Sequence, residues 1–357
     1  MKISVRQICF ILMTYTAASK LLMYPTILSN GAKQDLLFAA LINFIVCGAL
    51  VWSVSFLSSK TDKTFFQLLE GTLGNVGARI VYGLFAVFFL LSCILPLFEQ
   101  MNYVHNIFYD TIPMLIVFLP FFIFSLYAAG KKLQNIGRCA DICMPIFAAV
   151  MLFMFIMAFS EIQWDNLLPI LATPPAKLFS DAAGTDYYFV EPMWMLIFLG
   201  HYKYKKGDAA KITLSYAAGA AVVLLFLATF YGVYGSIAPS RTYAIARTSL
   251  FFPAIDTIGR VDLILLFALE IVMLFALVIN IQLAVHCIAE CSGYKNYIVL
   301  SLAVNAVLIA IVVFCQHNYS GIYSLYYKWM WIAFLVFIIL SPTLVWLLRR
   351  KKNVKKA

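Results

Sequence analysis

Residues 16–25 read TAASKLLMYP, and residues 187–195 read YYFVEPMWM. Each stretch places a charged side chain, Lys20 or Glu191, in an apolar run long enough to cross a bilayer, with a proline close by. A proline removes one helical hydrogen bond and clashes with a carbonyl one turn back. Backbone groups freed at membrane depth persist only where they are buried in protein or line a cavity. The two stretches therefore predict two interrupted membrane helices beside a polar site.

The composition around these stretches is that of a membrane protein. Hydrophobic residues make up 64% of the 357-residue chain and charged residues only 12%, and the mean hydropathy is +0.92. A soluble domain carries about a quarter charged residues. The apolar runs are continuous over about 20 residues, which as a helix spans the hydrocarbon core. Barrel strands would instead alternate with a period of two, so we expect an all-α integral membrane protein.

The apolar runs and the charged breaks between them predict ten transmembrane spans. They are expected at 7–28, 36–57, 76–98, 112–129, 141–160, 183–201, 211–235, 261–286, 297–315 and 330–348. The longest interruptions, 161–182 and 236–260, are expected to be external loops or surface helices, and Thr64–Gly74 an interfacial helix. The chain is thus a single transmembrane domain over 1–357, with pseudo-repeats of roughly 1–160 and 183–348.

The distribution of basic residues predicts the orientation. An even number of spans puts both termini on one side. If that side is the cytoplasm, nineteen of the 26 Lys and Arg residues lie in cytoplasmic segments and six in external ones, as the positive-inside rule requires. The last residues, 349–357, form a basic cytoplasmic tail. Because the net charge of +10 is concentrated at helix ends, it favours contact with anionic lipid and no nucleic-acid partner.

The two breakable spans occupy equivalent positions, as the first helix of each half of five. The first runs outward and the sixth inward, as a 5+5 inverted repeat requires, and paired interrupted helices of this kind mark transporter binding sites. Thr16, Ser19 and Lys20 form one polar face by their spacing. Half-helix ends would present positive N-termini to a carboxylate and free carbonyls to a cation, which suits a zwitterionic amino acid.

The charged residues inside the spans leave several interpretations open. Lys20 and Glu191 are either a purely structural pair, contacts to a ligand or ion, or a tunable proton site. Glu270, mid-way along the eighth span, is either bonded to a neighbouring helix or lines a cavity. Candidate ligand-binding residues are Thr16, Ser19, Lys20, Leu21, Tyr188, Val190, Glu191 and Trp194. Candidate residues for proton or ion coupling are Lys20, Glu191 and Glu270.

The sequence offers little sign of catalytic or cofactor chemistry. The eight cysteines are scattered without a CxxC, and the four histidines form no HExxH, so neither a disulfide framework nor a metal site is expected. No phosphate-binding loop, GxSxG elbow or dinucleotide fingerprint occurs. We therefore expect no enzyme, no cofactor and no metal.

Six short segments resemble the endospore germination permeases, the GerAB-type B subunits of nutrient germinant receptors, in the amino acid–polyamine–organocation transporter superfamily. They are KISVRQ (2–7), YPTILSNGAKQD (24–35), YAAGKKLQNIGRCADICMP (127–145), WDNLLPIL (164–171), FVEPMW (189–194) and SLFFPAIDTIGRVDLILL (249–266). Each is weakly specific, but their order and spacing with ten spans make a stronger match that extends nearly end to end.

The resemblance implies a LeuT-like fold with unwound first and sixth helices around a small-molecule pocket. The breaks would fall near Ala18–Leu22 and Val190–Met193. It also implies a membrane A subunit and a lipoprotein C subunit as partners, in the inner membrane of a spore. Relatives commonly carry glycine at the first break, whereas this chain has Lys20 there and no glycine, so the lysine would either replace a coordinating cation or plug the pocket.

Three functions remain open on the sequence. The first is a receptor subunit that binds a small nutrient, expected to be an amino acid, and triggers germination with its partners. The second is a secondary amino acid transporter coupled to protons or cations. The third is a scaffold subunit whose pocket is vestigial.

Overall fold

The computed structural model describes residues 3–109, 111–250 and 261–340. Their regular structure is helical apart from one parallel β-bridge between Ile3 and Tyr202. The α-helices are α1 (Val5–Ala18), α2 (Tyr24–Ala32), α3 (Leu36–Ser58), α4 (Phe65–Phe108), α5 (Met114–Ala129), α6 (Gln134–Ala158), α7 (Pro175–Ala183), α8 (Glu191–Phe198), α9 (Asp208–Tyr234), α10 (Ala244–Ser249), α11 (Val261–Ser292) and α12 (Tyr297–Cys315). A last helical segment, α13, runs over Tyr319–Leu340 with a π-helical turn at Tyr326–Met330.

These helices account for the predicted spans. Seven helical segments in the described part of the chain are long and apolar enough to cross a membrane, and α1 and α5 are shorter apolar helices. Every one of the ten predicted spans overlaps at least one helix of the described residues, with α1 and α2 in the first span and α8 in the sixth, which confirms the all-α membrane fold class. The tail at 349–357 and the 251–260 part of the SLFFPAIDTIGRVDLILL segment lie outside the described residues.

The first span is interrupted close to the expected position. α1 ends at Ala18, residues 19–23 are not helical, and α2 begins at Tyr24. Pro25 lies in the first turn of α2, where a backbone N–H would have no hydrogen-bond acceptor within the helix, so its absence in proline costs nothing. The proline therefore marks where the helix restarts rather than where it fails.

The sixth span is also interrupted, but its break lies at 184–190 and overlaps the predicted Val190–Met193 only at Val190, and the predicted start of the span at 183 was wrong. The outer half is α7, in the stretch that was expected to be an external loop or surface helix, and the inner half is α8. The connection, 184–190, contains only a 3-10 turn. Pro192 lies in the first turn of α8, so the unwound segment precedes the proline instead of surrounding it.

Two helix contacts hold the core around these breaks. α4, which continues past Pro96 to Phe108, packs along α11, and α1 packs along α9. The second contact is tight: a Cβ on Gly219 of α9 would lie 2.8 Å from the Met13 carbonyl oxygen. Because glycine lets two backbones approach closely in a membrane, this residue sets the distance of α1 from α9.

The α2 side of the first break is covered by loops. Ala244 and Ile245 of α10 donate backbone hydrogen bonds to the carbonyls of Leu22 and Leu21, at 2.8 and 3.2 Å. The buried Asp35 carboxylate accepts the Leu171 and Thr173 amides at 2.6 and 2.7 Å. These bonds attach α10 and the 171–173 loop to the first span and to the turn after α2.

Candidate functional site

A buried ion pair joins the two interrupted helices. The Lys20 ammonium donates to Glu191 Oε1 at 2.7 Å and to Ser19 Oγ at 3.3 Å. Both charged side chains are 0% exposed. Removing two charges from water costs several kcal/mol per ion, which close pairing and further hydrogen bonds must offset. The breaks therefore meet at one desolvated polar centre.

Helix ends explain why each charge is tolerated there. Lys20 follows the C-terminus of α1, whose carbonyls carry partial negative charge, and Glu191 is the first residue of α8, whose amides carry partial positive charge. The continuous helix that each span would otherwise form offers no such ends at mid-membrane. Each break therefore supplies a helix end whose partial charge stabilises the charged side chain beside it.

Aromatic rings surround the pair. The Lys20 ammonium lies 4.5 Å from the ring centroid of Phe189 and 6.0 Å from that of Phe44, within reach of cation–π attraction. Trp194 meets Tyr15 edge-on at 4.4 Å. The ammonium is therefore enclosed by a carboxylate on one side and π-faces on another.

Several polar atoms on α1, α8 and α9 have no hydrogen-bond partner among the described residues. They are buried, and they include Glu191 Oε2, Trp194 Nε1, Thr16 Oγ1 and Tyr216 OH. Buried polar groups in folded proteins are nearly always satisfied by protein or water. This set offers both donors and an acceptor to a small polar molecule.

Most of the predicted ligand-binding residues lie at or beside the two helix breaks, and Tyr188 is turned toward α4. Lys20, Ser19 and Glu191 meet directly, and Val190 is the residue that caps α8 beside them. Leu21 contributes its backbone carbonyl to α10. Thr16 lies against Gly219 of α9. Tyr188 points elsewhere, because its hydroxyl donates to the Glu99 carboxylate on α4.

Glu270 does not join the Lys20–Glu191 pair. It lies on α11, is 5% exposed, and neither carboxylate oxygen has a hydrogen-bond partner among the described residues. The expectation that it bonds a neighbouring helix finds no support there. Its role in ion coupling stays a prediction.

Two buried acids close to the helix breaks were not among the predicted site residues. Glu99 is 2% exposed on α4, and Asp186 is 5% exposed in the unwound connection of the sixth span. Glu99 lies one residue past the predicted end of the third span at 98, and the open alternative, that this span runs on past Pro96 toward His105, is the one the structure shows, because α4 continues to Phe108. Asp186 directly precedes the tyrosine pair of YYFVEPMWM, and an acid beside a predicted break was the signal that could have found it.

A cavity of about 200 Å³ lies at the predicted cytoplasmic end of the protein. Its lining includes Ile3, His201, Gln282, His286 and Glu290. The His286 ring lies 5.5 Å from that of His201. No group of three or more His, Cys, Asp or Glu in the described ranges is arranged to hold a metal ion. This cavity is separate from the ion pair.

Comparisons with known proteins agree with this arrangement. A family model described as spore germination protein matches residues 2–320. The putative spore germination protein YfkT of Bacillus subtilis (strain 168) is 24% identical over 157 residues. That alignment spans only 44% of this chain and 44% of the relative.

Solved transporter structures share the fold. MhsT in complex with L-phenylalanine has a TM-score of 0.65 at 9% identity, covering 92% of this chain and 88% of that one. The nucleobase-cation-symport-1 transporter Mhp1 has a TM-score of 0.55 at 10% identity, covering 97% and 89%. An Eremococcus coleocola manganese transporter mutant has a TM-score of 0.58 at 10% identity, covering 94% and 76%.

The two kinds of similarity carry different weight. At such low identity the structures show the fold alone, a LeuT-type transporter fold with interrupted first and sixth helices. The family model covers most of the chain, including both interrupted helices and the helices that pack around them. The chain is therefore a permease-like membrane protein that belongs to the spore germination protein family.

Proposed function

We propose that this chain is the permease-like subunit of a spore germinant receptor, which binds a small nutrient at mid-membrane and signals to partner subunits. The observation that carries the proposal is the desolvated Lys20–Glu191 pair at the meeting point of the two helix breaks. A nutrient that exchanges partners with this pair would change how the two interrupted helices are held together.

The chemistry of the pair favours an amino acid. A ligand carboxylate can replace Glu191 as the partner of Lys20, while the ligand ammonium takes Glu191 in its place. Charge stays balanced at every contact, so the buried site never holds an uncompensated charge. The unpartnered Trp194 Nε1 and Thr16 Oγ1 supply further hydrogen bonds. That MhsT, a protein of the same fold, was solved with L-phenylalanine supports the choice of ligand class.

The contacts assigned to the nutrient are those nearest the two breaks. They are Thr16, Ser19, Lys20, Leu21, Val190, Glu191 and Trp194, with Tyr188 connecting the site to Glu99. Lys20 acts as a resident cation that holds the pocket closed until a ligand carboxylate displaces Glu191. This assignment favours the lysine as a plug over the lysine as a purely structural residue.

The family resemblance also supports a proposal for the partner subunits and the membrane in which the chain acts. We infer an A subunit in the membrane and a lipoprotein C subunit as partners, in the spore inner membrane, with both termini in the cytoplasm. The stronger basic charge on the predicted inner segments supports that orientation.

Germination assays on spores test the proposal. Spores lacking their own nutrient receptors would carry this chain with its A and C subunits and be screened against single amino acids. We expect a nutrient response that Lys20→Met and Glu191→Gln each weaken by at least about tenfold, because each removes one of the two charges that recognise the ligand. Lys211→Met, at an exposed lysine, is the control and should respond as the wild type does. Wild-type responses in both pair variants would refute the proposal.

A working transporter is the second candidate, favoured by the buried acids Glu99 and Glu270, which have no cationic partner among the described residues. Proteoliposomes that contain this chain alone separate the two functions. Concentrative uptake of labelled amino acid would favour transport over a receptor that only signals.

A further inference from the structure

The cavity at the predicted cytoplasmic end is large enough for a small ligand. Its volume is about 200 Å³, whereas a cavity of about 150 Å³ already holds a benzene molecule. It lies among the segment before α6, the segment after α8, and the neighbouring ends of α11 and α12. Its ionisable lining residues are Lys131, Lys132, His201, His286 and Glu290. Only the last of these is an acid, so the lining favours an anion.

Hydrogen bonds hold the walls of this cavity in place. Gln282, which is 3% exposed on α11, donates its amide nitrogen to the Lys131 carbonyl at 2.7 Å. That bond attaches the segment before α6 to α11. On another wall, the Ile3 amide donates to the His201 carbonyl at 3.0 Å, which joins the N-terminal segment to the segment after α8. The space is therefore a part of the fold and not a gap between loosely packed helices.

His286 is the most buried ionisable residue of the lining. It is 7% exposed, and its ring lies 5.5 Å from that of His201 and 6.4 Å from that of Tyr297. No hydrogen bond joins its ring nitrogens to another described residue. Buried polar groups are nearly always bonded to protein, water or ligand. The imidazole of His286 therefore offers an N–H donor to the contents of the cavity.

Two long helices begin at the cavity. Leu133 and Gln134, which line it, are the N-cap and the first residue of α6, and this N-cap makes no side-chain hydrogen bond to the helix. Tyr297, also in the lining, is the first residue of α12. The N-terminal end of a helix carries partial positive charge and favours phosphate and other anions. Both helix ends therefore add to the positive potential of the basic side chains.

We propose that this cavity binds a phosphate group. Lys132 supplies a point charge, and His201 and His286 supply N–H donors, which form strong hydrogen bonds to an ionised oxygen. The Lys131 ammonium lies 4.2 Å from the Tyr127 ring centroid, a contact that leaves its charge uncompensated. Even with both histidines neutral, two lysines therefore outnumber Glu290. Water can fill the same volume, but only an anion balances this charge.

The phosphate group has two physical sources. One is a free phosphate compound in the cytoplasm. The other is the headgroup of an anionic phospholipid, because basic pockets between membrane helices on the cytoplasmic side bind such headgroups. The chemistry of the contacts is the same for both, and the experiment below separates them.

The site would connect the inner ends of both interrupted spans. Ile3 precedes α1 by two residues, and His201 follows α8 by three. A phosphate that contacts His201 and Lys132 would join the end of the sixth span to the segment between α5 and α6. This site goes beyond the proposed function and does not depend on which nutrient binds.

Thermal unfolding of the purified full chain in a non-ionic detergent tests the site. Ligand binding to the folded state raises the unfolding midpoint in a saturable way. Inorganic phosphate is titrated against chloride at constant ionic strength. In a second series, phosphatidylglycerol or phosphatidylcholine is added to the micelles at equal mole fractions. We expect a saturable rise with inorganic phosphate, which would identify a soluble ligand, or with phosphatidylglycerol alone, which would identify a lipid headgroup.

Three variants locate the effect. Lys132→Met and His286→Gln should each raise the half-saturating concentration by at least about tenfold, because each removes a contact to an ionised oxygen. Lys206→Met is the matched control, because it removes an exposed lysine on the same predicted side but outside the cavity. It should match the wild type. If His286→Gln does not fold, Lys132→Met, at an exposed position, carries the test.

Three outcomes would overturn the proposal. The first is a wild-type midpoint that responds to neither inorganic phosphate nor phosphatidylglycerol, which would leave the cavity to water. The second is a rise that does not saturate, since phosphate also stabilises proteins by exclusion from their surface, or an equal rise with both lipids. The third is the same response in Lys132→Met as in Lys206→Met. Because germination is not measured, failure here leaves the receptor proposal to be judged by the spore assay.

Discussion

Breaking the Lys20–Glu191 pair from one side should destabilise the protein strongly. Both side chains are 0% exposed and joined at 2.7 Å, so Lys20→Met leaves a buried carboxylate without its cation. The loss of one partner of a buried ion pair costs about 3–5 kcal/mol. Whole-protein stabilities are about 5–15 kcal/mol, so this single change removes a large share of the total.

The double variant gives the sharper expectation. Lys20→Met with Glu191→Gln removes both charges and leaves a neutral amide, whose unsatisfied groups cost about 1–3 kcal/mol. We therefore expect the double variant to be more stable than either single variant. The coupling energy from the four proteins should exceed about 2 kcal/mol, beyond the range of independent sites.

Denaturant unfolding of the purified chain, followed by tryptophan fluorescence, measures these differences. Trp194, one of the six tryptophans, lies on α8 with Glu191 and packs on Tyr15 of α1, so its share of the emission changes when the two broken helices separate. Lys211→Met is the matched control, because the Lys211 side chain is 69% exposed and its ammonium lies 3.7 Å from the Asp208 carboxylate. Because the ammonium end of this pair is in solvent, the pair contributes only about 0–1 kcal/mol.

Additivity would refute the reasoning. If the effects of the two single substitutions sum to that of the double variant within about 0.5 kcal/mol, the two charges do not interact in the folded protein. A Lys20→Met effect no larger than that of Lys211→Met would show that Lys20 reaches water. Either result would remove the desolvated pair on which the nutrient site is built.

Two further substitutions test the packing around the site. Gly219→Ala should destabilise the protein by about 1–3 kcal/mol in the same unfolding assay, because its Cβ would lie 2.8 Å from the Met13 carbonyl oxygen. Gly83→Ala is the control, because its Cβ would meet only a sulfur atom at 3.4 Å. Equal effects of the two substitutions would show that α1 can move away from α9 without cost. Asp35→Asn should cost about 1–3 kcal/mol, since its buried carboxylate accepts two loop amides, and it should increase proteolysis of that loop relative to Asp165→Asn, an exposed aspartate. Unchanged proteolysis would mean that Asp35 does not hold the loop.

The sequence predicted the fold from signals that need no knowledge of packing. Continuous apolar runs of about 20 residues suffice to identify membrane helices, because lipid excludes unsatisfied backbone. Lys20 and Glu191 stood out because a charge inside such a run is costly. The polar face before Pro25 predicted that the first span is interrupted, and the family resemblance placed the break within one residue of where it lies.

The second break shows where local reasoning fails. A proline in mid-span predicts a helix break around it, yet Pro192 lies in the first turn of α8, after the break. A proline is compatible both with the end of one helix and with the first turn of the next. Which of the two occurs at Pro192 depends on how α7 and α8 pack against α3. The same limit hid Glu99, whose burial depends on how far α4 continues along α11.

Hydropathy and charge along the chain were enough to establish an all-α multi-pass membrane protein and to predict ten spans with two costly charges at mid-membrane. The meeting of those charges, 171 residues apart in sequence, was decided by tertiary packing alone. Periodicity and composition act over a few turns of helix, whereas the distance between two side chains on different spans depends on every helix contact between them. The basic lining of the cavity at the predicted cytoplasmic end likewise became visible only once the segment before α6, the segment after α8 and α11 had been brought together.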